Sequence, residues 1–187
     1  MQLLGLRYLS VAPDTVDIRG VAVVDDGGVE YLIRKGIVVK GLILQLGEDL
    51  RCTALRAAVA ACKGDVEVCE LILGIDFGRK VGVAVITDSV VLAALSFRNI
   101  YKALDFIITV LQCLEASKKV VRIGIPRKED PEYDAFINKL INSLSSDTGL
   151  ELVSERGSSK SSSFLKYGRK LDEDALAAIN IALGRSE

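Results

Sequence analysis

The chain has 187 residues, room for one ordinary domain or one domain with a small addition. Half of them are hydrophobic and the mean hydropathy is +0.33, so the composition supports a sizeable core. Its 24 Lys and Arg against 25 Asp and Glu leave a net charge of −1, which excludes an overall basic field. Any contact with nucleic acid must come from local patches.

The most apolar stretch, Leu71 to Phe97, is interrupted by Asp76, Arg79, Lys80 and Asp88, so no segment reads as membrane-spanning. The N-terminus lacks a basic-then-apolar signal pattern, and the expectation is a cytoplasmic protein. There is no histidine, which excludes a Ser-His or Cys-His nucleophile pair. Acid–base chemistry falls to carboxylates, lysines, tyrosines or metal-bound water. The four cysteines, Cys52, Cys62, Cys69 and Cys113, form no Cys-x-x-Cys pair and read as small buried apolar side chains rather than a zinc site. Three Gln, four Asn and one Met among many charged residues match the composition of heat-adapted, thermophile proteins.

Residues 1–69 read as a small α+β module for packing or partner contact, without a chemical motif. Val16 to Val24 and Val29 to Val39 read as two strands, with Asp25-Asp26-Gly27-Gly28 between them as a hairpin turn. A helix follows from about Glu48 to Lys63, with acids at its start and Lys63-Gly64 at its end.

Residues 70–187 carry a second pattern. Leu71 to Gly78, Gly82 to Thr87 and Val90 to Phe97 read as three strands whose short connections make them antiparallel neighbours. Asn99 caps a helix to about Ser117, with Ile100, Leu104, Ile107, Leu111 and Leu114 on its apolar face. Val120 to Ile125 is a fourth strand, parallel to the first because a helix precedes it. Asp130-Pro131 opens a helix to about Leu144, with Tyr133, Ile137, Leu140, Ile141 and Leu144 as its buried stripe. Leu150 to Ser154 is a fifth strand, and after a serine- and lysine-rich stretch Asp172 opens a last helix through Leu183. A meander feeding right-handed crossovers gives an α/β fold, a mixed five-stranded sheet with flanking helices.

Four segments carry a resemblance. The run Leu73-Gly74-Ile75-Asp76-Phe77-Gly78-Arg79-Lys80-Val81-Gly82-Val83-Ala84-Val85 resembles the opening hairpin of the YqgF-type nucleases, relatives of the RuvC-type Holliday-junction resolvases. Ile123-Gly124-Ile125-Pro126 resembles the Gly-Leu-Pro element after their fourth strand. Val153-Ser154-Glu155-Arg156-Gly157-Ser158-Ser159 resembles their Asp-Glu-Arg-Leu-Thr/Ser-Thr/Ser segment, and Asp174-Ala175-Leu176-Ala177-Ala178 their Asp-x-x-Ala-Ala helix start. The resemblance covers about Leu71 to Gly184 and implies a ribonuclease H-like fold in which Asp76, Glu155 and Asp174 hold Mg²⁺ or Mn²⁺ and serve as the catalytic carboxylates. The chain departs from the pattern at Ser154, where the family has Asp, and at Gly157, where it has Leu. It also lacks the acid that RuvC-type resolvases carry at the end of the fourth strand.

The chemistry suits those residue types. Phosphodiester cleavage needs a water made nucleophilic near neutral pH and a counter-charge for the departing oxygen. Two Mg²⁺ ions roughly 4 Å apart, held by oxygen ligands from separate elements, supply both. Asp76 stands in an apolar run, where an unpaired charge is costly. Asp174 shares a helix face with Ala177, Ala178 and Ile181, small enough to let that face approach a sheet, while Asp172 reads as a cap and stays in reserve with Glu173. Candidate phosphate contacts are Arg79, Lys80, Arg127, Lys128, Arg156, Ser158, Ser159 and Lys160.

The expected partner is structured nucleic acid, either precursor ribosomal RNA or branched DNA, with homodimerisation left open. Two other readings stay beside the nuclease. One is ATP-dependent phosphoryl transfer, since actin-like kinases also open with an acid-Gly hairpin. The other is a non-catalytic nucleic-acid-binding or scaffold protein that keeps the fold.

Overall fold

The structure, a computed structural model, describes residues 8–12, 15–126, 131–154 and 171–184. The chain divides into two compact units, Met1–Glu67 and Val68–Glu187.

The first unit contains β1 (Asp17–Val24), α1 (Gly28–Lys35), β2 (Val38–Gln45) and α2 (Leu50–Lys63). Here the sequence expectation of a hairpin is overturned. β1 and β2 run parallel, Asp17 opposite Val38 through Val24 opposite Gln45, and a helix joins them. The turn at Asp25 to Gly28 does form, closed by the Gly28 N–H to the Asp25 carbonyl at 3.0 Å, but it feeds α1 instead of a returning strand. Val29, Tyr31 and Ile33 alternate as in a strand, yet Val29, Leu32 and Ile33 also fall at helical spacing, and Leu32 is the one that becomes buried. Glu30 in the first turn and Arg34 and Lys35 in the last suit the helix dipole, and Gly36 ends the helix in the left-handed region. α2 matches its expectation: Asp49 caps it by accepting the Arg51 N–H at 2.7 Å, and Gly64 closes it. Leu44 packs with Ala57 and Ala60 to form a small core.

The second unit is built on a five-stranded mixed sheet in the order β5-β4-β3-β6-β7. Its strands are β3 (Glu70–Phe77), β4 (Val81–Thr87), β5 (Val90–Phe97), β6 (Lys118–Ile125) and β7 (Thr148–Ser154). β3, β4 and β5 meander antiparallel, while β6 and β7 run parallel to β3. The helices are α3 (Ile100–Cys113), α4 (Pro131–Ile141) and α5 (Glu173–Ala182). Asn99 caps α3 by accepting the Tyr101 and Lys102 amides, as its position suggests; Asp130 lies outside the described residues.

Strand parity sorts the helices to the two faces. Leu71, Leu73, Ile75 and Phe77 point to one face, where Phe77 meets Tyr133 and Phe136 of α4, and Phe97 meets Phe106 of α3. Ile72, Gly74 and Asp76 point to the other, which α5 covers. All seven residues of β4 are buried, as expected of a strand roofed on both sides. The stripe expected for α4 is rotated by a position. Phe136 and Leu140 are the buried residues, whereas Ile141 is exposed, because the rings of Phe77 and Phe136 set the contact. Burying Phe136 completely is worth about 1.5–3 kcal/mol.

The cysteines also depart from expectation: Cys52, Cys62 and Cys113 are half-buried and Cys69 is exposed. Among the described residues no helix is long and apolar enough to cross a membrane.

α5 sits unusually close to the sheet. A Cβ on Gly74 would stand 2.1 Å from the Ala178 carbonyl and 2.6 Å from the Ala182 Cβ; one on Gly82 would stand 2.1 Å from the Asp174 carbonyl. Neither glycine has a positive φ, so close approach is their reason. Gly149 differs, since a Cβ there would meet nothing nearer than 3.6 Å. Gly74→Ala is therefore expected to destabilise the protein by about 3 kcal/mol or more, and Gly149→Ala by less than about 1 kcal/mol. Denaturant unfolding followed by circular dichroism compares them, and equal effects would refute the close packing.

Candidate functional site

Asp76 is the penultimate residue of β3 and lies opposite Gly82 of β4. Gly82 lies beneath the first turn of α5, against the Asp174 main chain. Two acids remote in sequence are thus brought to one end of the α5-covered face. Asp76 and Asp174 are both half-buried, and Asp76 is not left without a partner. β3, β6 and β7 are parallel, so Asp76 and Ser154, the last residue of β7, stand at the same edge of the sheet with β6 between their strands. Glu155, Arg127, Lys128, Arg156, Ser158, Ser159 and Lys160 lie outside the described residues.

The β3–β4 turn supplies a cation. The Gly78 N–H donates to the Lys80 carbonyl at 3.1 Å, folding the turn tightly. The Lys80 ammonium stands 3.3 Å from Asp172 Oδ2 and 3.6 Å from Asp174 Oδ2. Arg79 next to it is exposed. Asp172 is the N-cap of α5, accepting the Ala175 N–H at 3.1 Å, and it also accepts the Ser96 hydroxyl. Ser96 reaches it because β5 places Ser96 opposite Gly82. One carboxylate thereby ties together the start of α5, the end of β5 and the β3–β4 turn.

Partial burial works against the charged Asp172 carboxylate, but hydrogen bonds from the Ser96 hydroxyl, the Ala175 amide and Lys80 outweigh it and hold its pKa below the ordinary value. At the opposite end of the helix, the Arg122 guanidinium donates to the Ala182 carbonyl and, through Nε, to Glu151 Oε2 at 2.7 Å. This cation at the helix C-terminus answers the last carbonyls and the dipole.

The sequence reading of Asp172 as a cap was incomplete, and Ser96, Arg122 and Glu151 were missed. Their signals were present: Arg122 interrupts the apolar run of β6 and Ser96 that of β5, and a polar residue inside a strand wants a partner. Of the helix face expected to approach the sheet, Asp174 and Ala178 do so and Ile181 is buried, while Ala177 is only half-buried and Ala182 takes the second close contact.

The donors here are carboxylate oxygens, the chemistry that Mg²⁺ and Mn²⁺ favour. The Lys80 ammonium already stands beside two of them, so a positive charge is accommodated there. Among the described residues, Asp76, Asp172 and Asp174 do not bring three oxygens within 4.8 Å of one another. As arranged, Asp172 and Asp174 share the Lys80 ammonium.

Because the Asp172 pKa is depressed on folding, its charged form adds stability above its unfolded value near 3.8, and that contribution disappears as pH falls through the lower folded value. The carboxylate is 43% exposed, so solvent screening limits the effect to about 0.5 kcal/mol. Asp172→Asn, which keeps an oxygen for capping, is expected to be less stable by about that much at neutral pH. It should converge on the parent once the pH falls below that lowered value. Melting curves taken across pH test this, and a constant offset would contradict it. In comparisons with known proteins, no family model matches the chain and no curated protein matches it significantly.

Proposed function

We propose that the second unit is a ribonuclease H-like nuclease domain of the YqgF type, hydrolysing phosphodiester bonds in structured nucleic acid, precursor ribosomal RNA or branched DNA. The observation that carries this reading is the convergence of Asp76 and Asp174 at one end of the sheet through the Gly82 contact. The strand order agrees with it, a three-stranded meander followed by two parallel strands. The sequence resemblance adds Glu155 directly after β7.

In this reading Asp76 and Asp174, with Glu155, hold Mg²⁺ or Mn²⁺. When bound, the ion supplies acidification of water and countercharge for the leaving oxygen. The chain's own contribution is placement. Asp76 is fixed by the β3–β4 ladder, and Asp174 by a helix that is pressed onto glycines at one end and held by Arg122 at the other. Such fixed carboxylates lose little freedom on meeting a ligand. Arg79, exposed at the turn beside them, offers a cation to a phosphate. With no histidine in the chain, proton transfer falls to carboxylates, lysines, tyrosines or water.

Purified protein with Mg²⁺ or Mn²⁺ should cut four-way DNA junctions or structured RNA. Asp76→Asn should lower the rate by more than about a hundredfold, because even a residue behind a metal ligand is worth 10–100-fold. Its substrate binding should be largely kept. Cutting by Asp76→Asn at the parental rate would sink the assignment. Binding by the parent without cutting, on either substrate and with either ion, would favour the non-catalytic reading.

A further inference from the structure

We propose that Lys80 is a placeholder cation: its ammonium neutralises Asp174 and Asp172 in the metal-free protein and must give up Asp174 when a divalent ion enters. The inference rests on the metal reading above and adds to it a residue that sets ion affinity.

Three observations support it. First, Lys80 is not a free surface lysine. Its ammonium stands 3.3 Å from one carboxylate and 3.6 Å from the other, and the side chain is 36% exposed. Second, its two partners differ in what else holds them. Asp172 is anchored by the Ser96 hydroxyl and the Ala175 amide, whereas no comparable hydrogen bond to Asp174 is seen among the described residues. Asp172 is therefore the anchor for Lys80, and Asp174 is the side chain that can be released to another cation. Third, Asp172 and Asp174 stand two residues apart at the start of α5, both within 3.6 Å of the same ammonium, and like charges this close repel without a counter-ion. Lys80 supplies that counter-ion where α5 meets the sheet.

An incoming divalent ion then competes with a charge already in place. It gains Asp174 only after the ammonium withdraws towards Asp172, so the chain lowers its own ion affinity. Because the pair is partly exposed, the effect is modest. A lysine serving only as a phosphate contact would leave ion binding unchanged in the absence of nucleic acid.

The test is Mn²⁺ binding to the full chain without nucleic acid, followed by calorimetry and by loss of the free-ion paramagnetic resonance signal. Lys80→Met keeps the length and removes the charge; Lys80→Arg keeps the charge. Lys80→Met is expected to bind Mn²⁺ about two- to fivefold more tightly than the parent, and Lys80→Arg about as the parent does. Asp174→Asn should weaken binding, which places the ion at this site. Equal or weaker binding by Lys80→Met, with the parent still binding, overturns the placeholder role and leaves the metal reading standing. If neither the parent nor Lys80→Met binds Mn²⁺ at millimolar concentration, the metal reading falls and takes this inference with it. Circular dichroism of both variants shows that they are folded.

Discussion

Helix α5 and the sheet beneath it come closer than side chains ordinarily allow, because Gly74 and Gly82 contribute no side chain at the contact and Ala178 and Ala182 contribute little. The approach rests on four small residues from three elements, and any Cβ on either glycine would have to displace backbone. Close packing of this kind leaves few ways to relax, so geometry is held tightly. The position of Asp174 relative to Asp76 inherits that rigidity. So does the reach of Lys80, whose turn begins where β3 leaves the sheet.

Electrostatics pin the helix at both ends by different means. At its start, the acid Asp172 accepts the free Ala175 amide and gathers Ser96 and Lys80. At its end, Arg122 answers the Ala182 carbonyl and is itself oriented by Glu151. Both arrangements suit the dipole. Neither is deeply buried, so they add positioning more than stability. Apolar packing of Ile72, Ala84, Ile86 and Ile179 supplies the adhesion between them.

The strands and helices of the second unit were legible because periodicity and caps agreed: Asn99, Asp172 and the turns around β4 stand where the sequence puts them. The first unit misled at one point. Val29 to Lys35 satisfies both a strand alternation and a helical spacing, and the parallel pairing of β1 with β2 decided between them. α4 misled by one position, since only the ring of Phe77 reveals that Phe136 is the inward residue. At the site, Asp76 could be singled out because it interrupts an apolar run, and Asp174 because the resemblance points to it on a face of small residues. Ser96 and Arg122 could not be assigned partners, since strand parity tells which face a residue takes but not what waits there. The two glycines carried the most structural information, and only the helix above them shows why.

The large separation in sequence between Asp76 and α5 has a kinetic consequence. The β3–β4–β5 meander is local and can form soon after it is made, whereas α5 must close a long loop before it lands. A nascent chain holding the sheet but not yet residues 171–184 therefore has the first carboxylate without the second, and an ungrouped Lys80. The arrangement comes into being only as the helix seats, so whatever binds there reports completed assembly of this unit and, by mass action, helps to keep it assembled.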